Sequence, residues 1–457
     1  MNIAIIGAGW VGVTTGAVLA FLGNKVKGYD VNSKLISRLI EGNLSFYEPH
    51  LPELVREQLQ ADRLQFTSEL RTALSNADVV FIAVGTPVAA DGQTVDMRFV
   101  GDAAYNVGLN LQPGRFQVIV TKSTVPVGTN GWIESYIEQG LEEQGLSGRV
   151  DYAVASNPEF LREGMAIADT LYPDRIIAGS GDERALKALA ELYRPIVDQT
   201  FEPPSFSPRP PGFKRAPLVR VDPATAELIK YAANSFLATK IAFINEMANI
   251  CDLVGANVKD VALGIGLDHR IGGAFLNAGV GWGGSCFSKD LVALVREAEV
   301  YAYTPQLLKA VLEQNRWQRL VAVRKLQDVL KTLRGRRIGI LGLAFKPETD
   351  DLRSAPALDI IRRLNELGCV VRAYDPVAVP RCRETHPDMP VTYGESVMEI
   401  ADGADALILV TEWQDFVNAD WQAIKSLMRT PVVIDGRNAL DKQRLEGMGF
   451  VYRGVGI

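Results

Sequence analysis

Cys286 lies in a run of residues, GGSCFSKD at 283–290, that could carry out redox chemistry. Lys289 and Asp290 follow the cysteine three and four positions later. Glycines before an apolar and charged run predict a helix start, where the N–H groups and the helix dipole favour a thiolate. A thiolate, a hydride acceptor and an acid–base group can convert an alcohol, through a covalently held aldehyde, to an acid. On these residues alone, an inert core cysteine is an equal alternative.

A hydride acceptor is indicated by the run GAGWVG at residues 7–12. An apolar strand, Asn2–Ile6, is predicted before it and a helix, Val13–Leu22, after it, which is the arrangement that places a pyrophosphate at a helix N-terminus. Asp30 ends the next predicted strand, where a carboxylate binds ribose hydroxyls and repels a 2′-phosphate. Lys34 lies close enough in sequence to weaken that discrimination. The pattern predicts NAD, with a glycine-rich packing turn as the alternative.

Further polar residues fall where sites are built in α/β proteins. Glu159 and Glu163 follow the end of a predicted strand, where they could polarise water or cap a helix. Thr124 has a similar strand-end position. Lys230 and Asn234 are four residues apart on a predicted helix, so they share a face, although a solvated face has the same spacing.

Composition sets the broad class. The chain has 457 residues, a 47% hydrophobic and 22% charged composition and a net charge of −6, as expected for a multidomain globular protein without attraction for nucleic acid or anionic membranes. No apolar run reaches about 18 residues, and no basic segment precedes the first strand, so we expect a cytoplasmic protein. Four cysteines without CxxC spacing and three histidines predict no metal site.

The order of predicted elements indicates an α/β fold of two Rossmann-like, doubly wound domains joined by a long central helix. A helix is predicted over Pro223–Leu253, and a second α/β unit starts near residue 336 and ends its sheet with Val432–Asp435. The predicted domains are an NAD-binding Rossmann domain at 1–201, a proline-rich insert or linker at 202–222, a central helical domain at 223–325, and a C-terminal Rossmann-like domain at 326–457.

Several runs together resemble the UDP-glucose/GDP-mannose dehydrogenase family, in family order and over nearly the whole chain. They are GAGWVG at 7–12, YEPHLPELV at 47–55, VGTP at 84–87, KSTVPVGT at 122–129, SNPEFLREG at 156–164, PDRIIAG at 173–179, ELIKYAANSFLATKIAFINE at 227–246, FLNAGVGWGGSCFSKD at 275–290, GLAFKPETDDLRSAP at 342–356 and DGRN at 435–438. The resemblance implies NAD-dependent four-electron oxidation of UDP-glucose to UDP-glucuronate. It also favours Cys286 as a nucleophile that passes through a thiohemiacetal and a thioester.

The resemblance assigns roles to individual residues. Those implied in catalysis are Cys286, Lys230, Asn234, Asp290, Glu159 and Thr124. Those implied in binding NAD are Gly7, Gly9, Trp10, Val11, Gly12, Asp30, Lys34, Thr86, Thr124, Glu163 and Lys289. Those implied in binding the sugar nucleotide are Glu159, Phe160, Leu161, Lys230, Asn234, Arg270, Phe275, Leu276, Asn277, Gly283, Phe345, Lys346 and Arg437.

The family also implies that residues 223–325 form the dimerisation and active-site domain and that residues 326–457 bind the UDP-sugar. It implies a homodimer or higher oligomer, with Arg270 reaching the substrate of a partner subunit. Asn277 departs from the family, because relatives often have lysine there, and the proline-rich insert is longer than usual. Two alternatives remain: a dehydrogenase of another nucleotide sugar, GDP-mannose or a UDP-N-acetylhexosamine, and a non-catalytic sensor of NAD or nucleotide sugars.

Overall fold

The structure, a computed structural model, describes residues 1–89 and 94–457. The described chain divides into two units by its internal contacts. The first unit comprises Met1–Ala232 with Val292–Glu297, and the second comprises Ala233–Leu291 with Ala298–Ile457.

The first unit is built on a single sheet among its described residues. Its strands are β1 Asn2–Ile6, β2 Lys25–Tyr29, β3 Leu64–Thr67, β4 Val79–Ile82, β5 Phe116–Thr121, β6 Asp151–Ser156, β7 Ile176–Gly179 and β8 Leu218–Val221. The strand order is β3-β2-β1-β4-β5-β6-β7-β8. Within the described strands every pairing is parallel except that of β6 with β7. The reversal of order beside β1 is the doubly wound arrangement.

Helices cover both faces of this sheet. They are α1 Trp10–Phe21, α2 Ser33–Ile40, α3 Leu51–Gln60, α4 Leu70–Leu74, α5 Arg98–Gly108, α6 Thr129–Glu143, α7 Ala166–Leu171 and α8 Glu183–Asp198. Ile3 and Ile5 of β1 belong to one hydrophobic cluster, whereas Ala4 and Ile6 belong to another. Because successive side chains point to opposite faces, β1 is buried on both, which explains its continuous apolar sequence.

A long helix, α9, covers Pro223–Val254, 32 residues, and runs from the first unit into the second. The prediction of a helix over Pro223–Leu253 is confirmed. Proline at the first helical position has no N–H group to leave unpaired, and no proline or glycine interrupts the residues that follow. Of the helices in residues 1–89 and 94–457, none is long and apolar enough to cross a membrane.

The second unit has its own parallel sheet. Its strands are β9 Arg337–Leu341, β10 Val370–Tyr374, β11 Thr392–Tyr393, β12 Ala406–Leu409, β13 Val432–Asp435 and β14 Val451–Arg453. Its helices are α10 Val258–Gly266, α12 Gln306–Gln318, α13 Val321–Leu330, α14 Pro356–Glu366, α15 Val379–Thr385, α16 Val397–Ala401, α17 Gln414–Val417, α18 Trp421–Leu427 and α19 Lys442–Gly447. The helix α11, Ser285–Val300, begins and ends in the second unit, whereas its middle part, Val292–Glu297, belongs to the first. The order is β11-β10-β9-β12-β13-β14. Two Rossmann-type units joined by a long helix confirm the predicted fold class.

Two local predictions are wrong. The second sheet does not end with β13, because β14 follows α19 and pairs with β13 in parallel; three residues are too few to give a strand pattern. The segment 202–222 is not all linker either. Its last part forms β8, which extends the first sheet beside β7. Phe206 and Phe213 of the same segment pack against the core of the first unit.

Candidate functional site

The turn between β1 and α1 leaves space at one glycine and none at two others. A Cβ on Gly12 would lie 1.9 Å from the Gly7 carbonyl oxygen, and Gly7 has φ +102°. A Cβ on Gly9 would meet nothing within 4 Å. Gly7 and Gly12 therefore close the turn, whereas Gly9 leaves its outer face open at the start of α1, a helix that no side chain caps. This geometry suits a pyrophosphate held by N–H groups.

Asp30 at the end of β2 is tied to the same turn. Its Oδ2 accepts from the Ala8 N–H at 2.9 Å, and its Oδ1 accepts from the Asn32 N–H at 2.9 Å. The carboxylate thus lies beside the glycine turn, as the fingerprint predicts. Lys34 is exposed on α2.

Glu48 was missed by sequence reasoning, although it lies in the quoted run at 47–55. Its buried carboxylate accepts from Trp10 Nε1 at 2.8 Å and from the N–H groups of Gly164 and Ala166 at 2.9 Å each. Trp10 begins α1, and Gly164 follows Glu163. Glu48 therefore joins the start of α1 to the loop that carries Glu163.

Glu159 and Lys230 form a buried ion pair within the first unit. Lys230 Nζ lies 3.1 Å from Glu159 Oε1, and the Leu161 N–H donates to Oε2 at 2.6 Å. Burial raises the pKa of Glu159, but Lys230, the Leu161 N–H and Lys122 outweigh it, so the pKa lies below its usual value. Glu159 is therefore a carboxylate at neutral pH, in the state that can accept a proton.

Lys122 is a second buried cation that sequence reasoning did not assign. Its Nζ donates to Asn157 Oδ1 at 2.9 Å, and the Tyr193 hydroxyl donates to the same oxygen at 2.6 Å. Burial lowers the pKa of Lys122 to about 8, partly opposed by Glu159. Because Asn157 is two residues before Glu159, this network fixes the loop that presents the Glu159 carboxylate. Asn157 lies in the quoted run at 156–164, but its partners, Lys122, Tyr193 and the Ile177 carbonyl, are distant in the sequence.

The loop that carries Thr124 is held at both ends. Ser123 Oγ donates to the Val84 carbonyl at 2.7 Å, which places it beside the run that contains Thr86. Beyond Thr124, the Gly128 and Asn130 N–H groups donate to Glu227 at 2.6 and 3.0 Å. Burial raises the pKa of Glu227 to about 7, although these N–H groups oppose it. β4, β5 and β6 are parallel neighbours, so their carboxyl ends bring Thr86, Thr124 and Glu159 to one edge of the sheet.

Phe160 lies between two cations. The Arg175 guanidinium carbon is 3.7 Å from the centre of its ring, and Lys230 Nζ is 5.3 Å from it. This cation–π contact orients the side chain that follows Glu159.

In the second unit, Cys286 is the second residue of α11. Gly284 caps the helix with φ +82° and ψ +162°, a conformation that favours glycine. The predicted helix start is confirmed. Cys286 is partly exposed, whereas Cys251, Cys369 and Cys382 are buried, so Cys286 is the accessible thiol of the four cysteines. Ser285 Oγ lies 3.8 Å from its sulfur.

Asp290 lies one helical turn after Cys286 and is 1% exposed. Its Oδ2 accepts from Asn234 Nδ2 at 2.6 Å, and its Oδ1 lies 2.8 Å from Lys289 Nζ. The structure therefore brings together Asn234, Lys289 and Asp290, three of the predicted site residues.

The turn before Cys286 is tightly enclosed. A Cβ on Gly283 would lie 2.6 Å from the Ser354 carbonyl oxygen and 2.8 Å from Phe345 Cβ. Asn315 accepts from the Trp282 N–H at 2.9 Å and donates to the Trp282 carbonyl at 3.1 Å. These contacts fix the backbone that leads into α11.

Arg437 holds backbone segments of the second unit together. Its guanidinium donates to the carbonyls of Val410 at 2.6 Å, Phe345 at 3.0 Å and Gly281 at 3.2 Å. Lys346 Nζ lies 5.9 Å from the Phe345 ring centre. Arg437 thus joins the run that contains Phe345 to the run that contains Gly283.

The remaining predicted substrate residues differ in their surroundings. Arg270 is exposed and forms a bidentate pair with Asp268, with donor–acceptor distances of 3.0 and 2.6 Å. Phe275 has φ +64°, Leu276 is packed in the core of the second unit, and Asn277 is exposed. Within residues 1–89 and 94–457, no hydrogen bond or ion pair joins Arg270 to Phe275, Leu276 or Asn277. In the same residues, no group of three or more His, Cys, Asp or Glu side chains could hold a metal ion.

Comparison with protein families gives three matches that together span most of the chain. Residues 1–197 match the NAD-binding domain, residues 224–317 the central domain and residues 339–442 the UDP-binding domain of the UDP-glucose/GDP-mannose dehydrogenase family.

Individual proteins agree. The chain is 42% identical over 455 residues to the UDP-glucose 6-dehydrogenase TuaD of Bacillus subtilis, covering 100% of this chain and 93% of that protein. A UDP-glucose dehydrogenase structure from Pyrobaculum islandicum superposes with a TM-score of 0.87 at 38% identity, covering 99% of this chain and 97% of that one. A UDP-D-ManNAc dehydrogenase structure from Pyrococcus horikoshii gives 0.83 at 27% identity, covering 100% and 99%.

Proposed function

The chain belongs to the UDP-glucose/GDP-mannose dehydrogenase family, and from that premise we propose that it oxidises UDP-glucose to UDP-glucuronate at the Cys286 thiol. It is an NAD-dependent oxidoreductase. The observation that carries the proposal is the accessible Cys286 at the start of α11, one turn before an Asp290 carboxylate held by Asn234 and Lys289.

NAD fits the first unit because the open face at Gly9, the uncapped start of α1 and the Asp30 carboxylate supply what its pyrophosphate and ribose need. When bound, NAD accepts one hydride in each of two oxidations. We assign its binding to the glycine turn with Trp10, Val11 and Asp30, and to Thr86, Thr124, Glu163 and Lys289.

In the first oxidation, the C6 hydroxyl must lose a proton as it becomes an aldehyde. Lys230, Asn234 and Asp290 are the proposed groups that take up this proton and stabilise the carbonyl oxygen. Asn234 and Asp290 are already joined by a hydrogen bond, and Lys230 is held by Glu159. Buried, paired polar groups of this kind are oriented before the substrate arrives.

In the second stage, the Cys286 sulfur forms a bond to the aldehyde carbon and the carbonyl oxygen gains a proton, which gives a thiohemiacetal. Loss of a hydride and of the hydroxyl proton then gives a thioester. The N–H groups and dipole at the start of α11 favour the thiolate form of the attacking group. The covalent bond keeps the aldehyde from escaping between the two oxidations.

Hydrolysis releases the acid. Water adds to the thioester carbon, the carbon–sulfur bond breaks, and the thiol is restored. Glu159, which Lys230 and Lys122 hold as a carboxylate, is the proposed group that accepts the proton of the water, with Thr124 and Glu163 positioning it.

The sugar nucleotide is assigned to Phe160, Leu161, Arg270, Phe275, Leu276, Asn277, Gly283, Phe345, Lys346 and Arg437, together with Glu159, Lys230 and Asn234. Because Leu276 is packed in the core, its contribution comes from the backbone. We also propose a homodimer or a larger homo-oligomer, in which the exposed Arg270 exchanges Asp268 for the substrate of a partner subunit.

A second candidate is a dehydrogenase of a UDP-N-acetylhexosamine, favoured by the similarity to the Pyrococcus structure. The lower identity, 27% against 38%, is the reason to place UDP-glucose first. Initial rates with UDP-glucose, UDP-N-acetylmannosamine and GDP-mannose at equal concentration decide between them. A preference for either of the last two would overturn the substrate assignment.

Cys286→Ser tests the nucleophile. We expect this variant to bind NAD and UDP-glucose while its kcat falls by about a thousandfold or more, because a serine hydroxyl is hardly ionised at neutral pH. Steady-state kinetics and ligand binding by calorimetry measure the two effects. Cys369→Ser is the matched control, since a serine can keep the bond from Cys369 Sγ to the Leu333 carbonyl. A normal kcat in Cys286→Ser would exclude covalent catalysis at this residue.

A further inference from the structure

The proline-rich part of the insert, residues 202–217, is tied to the first unit at two points. The Tyr172 hydroxyl, just after α7, donates to the Ser207 carbonyl at 2.7 Å. Arg209 donates to the side chain and to the carbonyl of Gln199, at 3.0 Å each, just after α8. Because its backbone is fixed at the ends of two helices, this segment can hold a neighbouring loop in place.

One aromatic side chain of the insert reaches the loop before α3. The Phe206 ring is stacked on the His50 imidazole, with 5.1 Å between the ring centres and 16° between the ring planes. Phe206 also packs against the hydrophobic core of the first unit. Since stacked aromatic rings attract each other, Phe206 joins His50 to that core.

His50 has a backbone conformation that few residues other than glycine adopt. Its φ is +62° and its ψ is −6°, in the left-handed region, directly before the first residue of α3. Its carbonyl accepts from the Leu54 N–H at 3.2 Å, a bond of the first turn of that helix. A residue in this conformation persists when its surroundings hold it there, and the stacked ring of Phe206 is such a contact.

The turn that contains His50 also carries Glu48. The Leu51 N–H donates to the Glu48 carbonyl at 3.4 Å, so Glu48 and His50 belong to one tight turn. The Glu48 carboxylate accepts from Trp10 Nε1 at the start of α1 and from the Gly164 N–H. A shift of His50 would therefore move this carboxylate relative to two segments that are assigned to NAD.

We propose that Phe206 and His50 are positioning residues for NAD binding, and that the insert supports the NAD site through their stacked rings. The stack sets the position of Glu48, which in turn holds the start of α1 and the loop that carries Glu163. This inference rests on the proposed assignment of NAD to those two segments. It does not depend on which nucleotide sugar is oxidised.

Phe206→Ala removes the stack. Titration of the full chain with NADH in the absence of sugar nucleotide, followed by calorimetry, measures the effect. We expect the Kd for NADH to rise at least threefold, because Glu48 loses a fixed position. Phe206→Tyr keeps an aromatic ring and should bind NADH within twofold of wild type. Unchanged affinity in Phe206→Ala, or equal weakening in Phe206→Tyr, would overturn the proposal.

Phe213→Ala is the matched control, because Phe213 belongs to the same insert and packs against the same core, while its ring contacts Tyr172 at 5.7 Å. We expect a lower melting temperature in this variant and a Kd for NADH within twofold of wild type. Equal weakening in Phe213→Ala would assign the effect to general stability and overturn the role of the stack. Should Phe206→Ala fail to fold, Phe206→Leu, which keeps an apolar contact with the core, tests the same point.

His50→Asn tests the other side of the stack. Asparagine also tolerates the left-handed conformation, so this variant removes the imidazole while the backbone preference is kept. We expect a rise in the Kd for NADH similar to that in Phe206→Ala. The double variant should weaken binding by no more than twofold beyond either single variant, since both changes remove one interaction. If the two effects multiply, the residues act separately and the proposal is wrong.

Initial-rate kinetics separates positioning of NAD from damage to the whole site. In Phe206→Ala the KM for NAD should rise at least threefold, while the KM for UDP-glucose stays within twofold of wild type. An equal rise in both KM values would contradict the proposed role. The NADH titration needs no turnover, so its failure is distinguishable from failure of the proposed reaction.

Discussion

Glu48 is a buried carboxylate that accepts hydrogen bonds from two parts of the proposed NAD site, Trp10 Nε1 at the start of α1 and the Gly164 and Ala166 N–H groups. In Glu48→Gln, one acceptor becomes an NH₂ group that faces N–H donors. Because an unsatisfied buried donor costs about 1–3 kcal/mol, we expect the KM for NAD to rise about tenfold, while the KM for UDP-glucose changes less than twofold.

Initial-rate kinetics with each substrate varied in turn measure this split. Glu53→Gln, an exposed position on α3, is the control and should behave as wild type. An equal rise in both KM values would show that Glu48 acts only on general stability.

The titration of Glu227 makes the free energy of unfolding depend on pH, and a single substitution can remove this dependence. Its pKa, about 7 in the folded chain against 4.5 for an ordinary glutamate, means that the folded state holds its proton more tightly than the unfolded state. The contribution to stability is full below pH 4.5 and is lost as pH rises through 7. Between pH 5 and 8 the loss is on the order of 3 kcal/mol.

Glu227→Gln removes this titration. Gln loses an acceptor for the Gly128 or Asn130 N–H at every pH, so the variant is less stable at pH 5. We expect its melting temperature, relative to wild type, to rise between pH 5 and 8. Calorimetry measures the difference in melting temperature between Glu227→Gln and wild type at each pH. If this difference stays constant from pH 5 to 8, Glu227 does not titrate in that range.

At the scale of single residues, the sequence identified types and positions but not partners. Their helical spacing placed Lys230 and Asn234 on one face of a helix. In the structure, Lys230 bonds Glu159 and Asn234 bonds Asp290, two carboxylates from distant parts of the chain. Lys122 and Glu227 were missed because their charges are explained only by burial and by bonds to distant segments. Whether a charged residue is buried depends on the whole fold.

At the scale of elements, two glycines of the turn between β1 and α1 are expected to have different roles. Gly9 should matter for NAD binding, and Gly12 should matter for folding. Gly9→Ala adds a Cβ into open space, so the free protein should keep its melting temperature while its affinity for NAD falls at least tenfold. Gly12→Ala places a Cβ 1.9 Å from the Gly7 oxygen and should destabilise the protein by about 3 kcal/mol.

Calorimetric melting and NAD titration of the two variants measure this contrast. Gly181→Ala, another position with nothing within 4 Å, is the control and should alter neither quantity. Loss of stability in Gly9→Ala would show that the open face is needed for the fold rather than for a ligand.

Elements with a clear pattern were predicted closely. β1 and β13 have the predicted ends, and α9 ends one residue later than predicted. Strands such as β11, with two residues, and β14, with three, are too short to show a pattern and form only because a sheet edge is available. β8 was not predicted because prolines dominate the segment before it, although no proline lies within Leu218–Val221 itself.

At the scale of the whole molecule, two parallel sheets and a long helix follow from alternating strands and helices, which the sequence shows. The assignment of UDP-glucose does not follow from that alternation. It comes from the family match and from relatives with that activity, because one fold can serve several nucleotide sugars.

The most direct test of four-electron oxidation at Cys286 is the amount of NADH formed per UDP-glucose consumed, followed by absorbance with the purified protein. We expect two NADH per sugar, with UDP-glucuronate as the product. One NADH per sugar, with free aldehyde accumulating, would contradict the covalent role of Cys286.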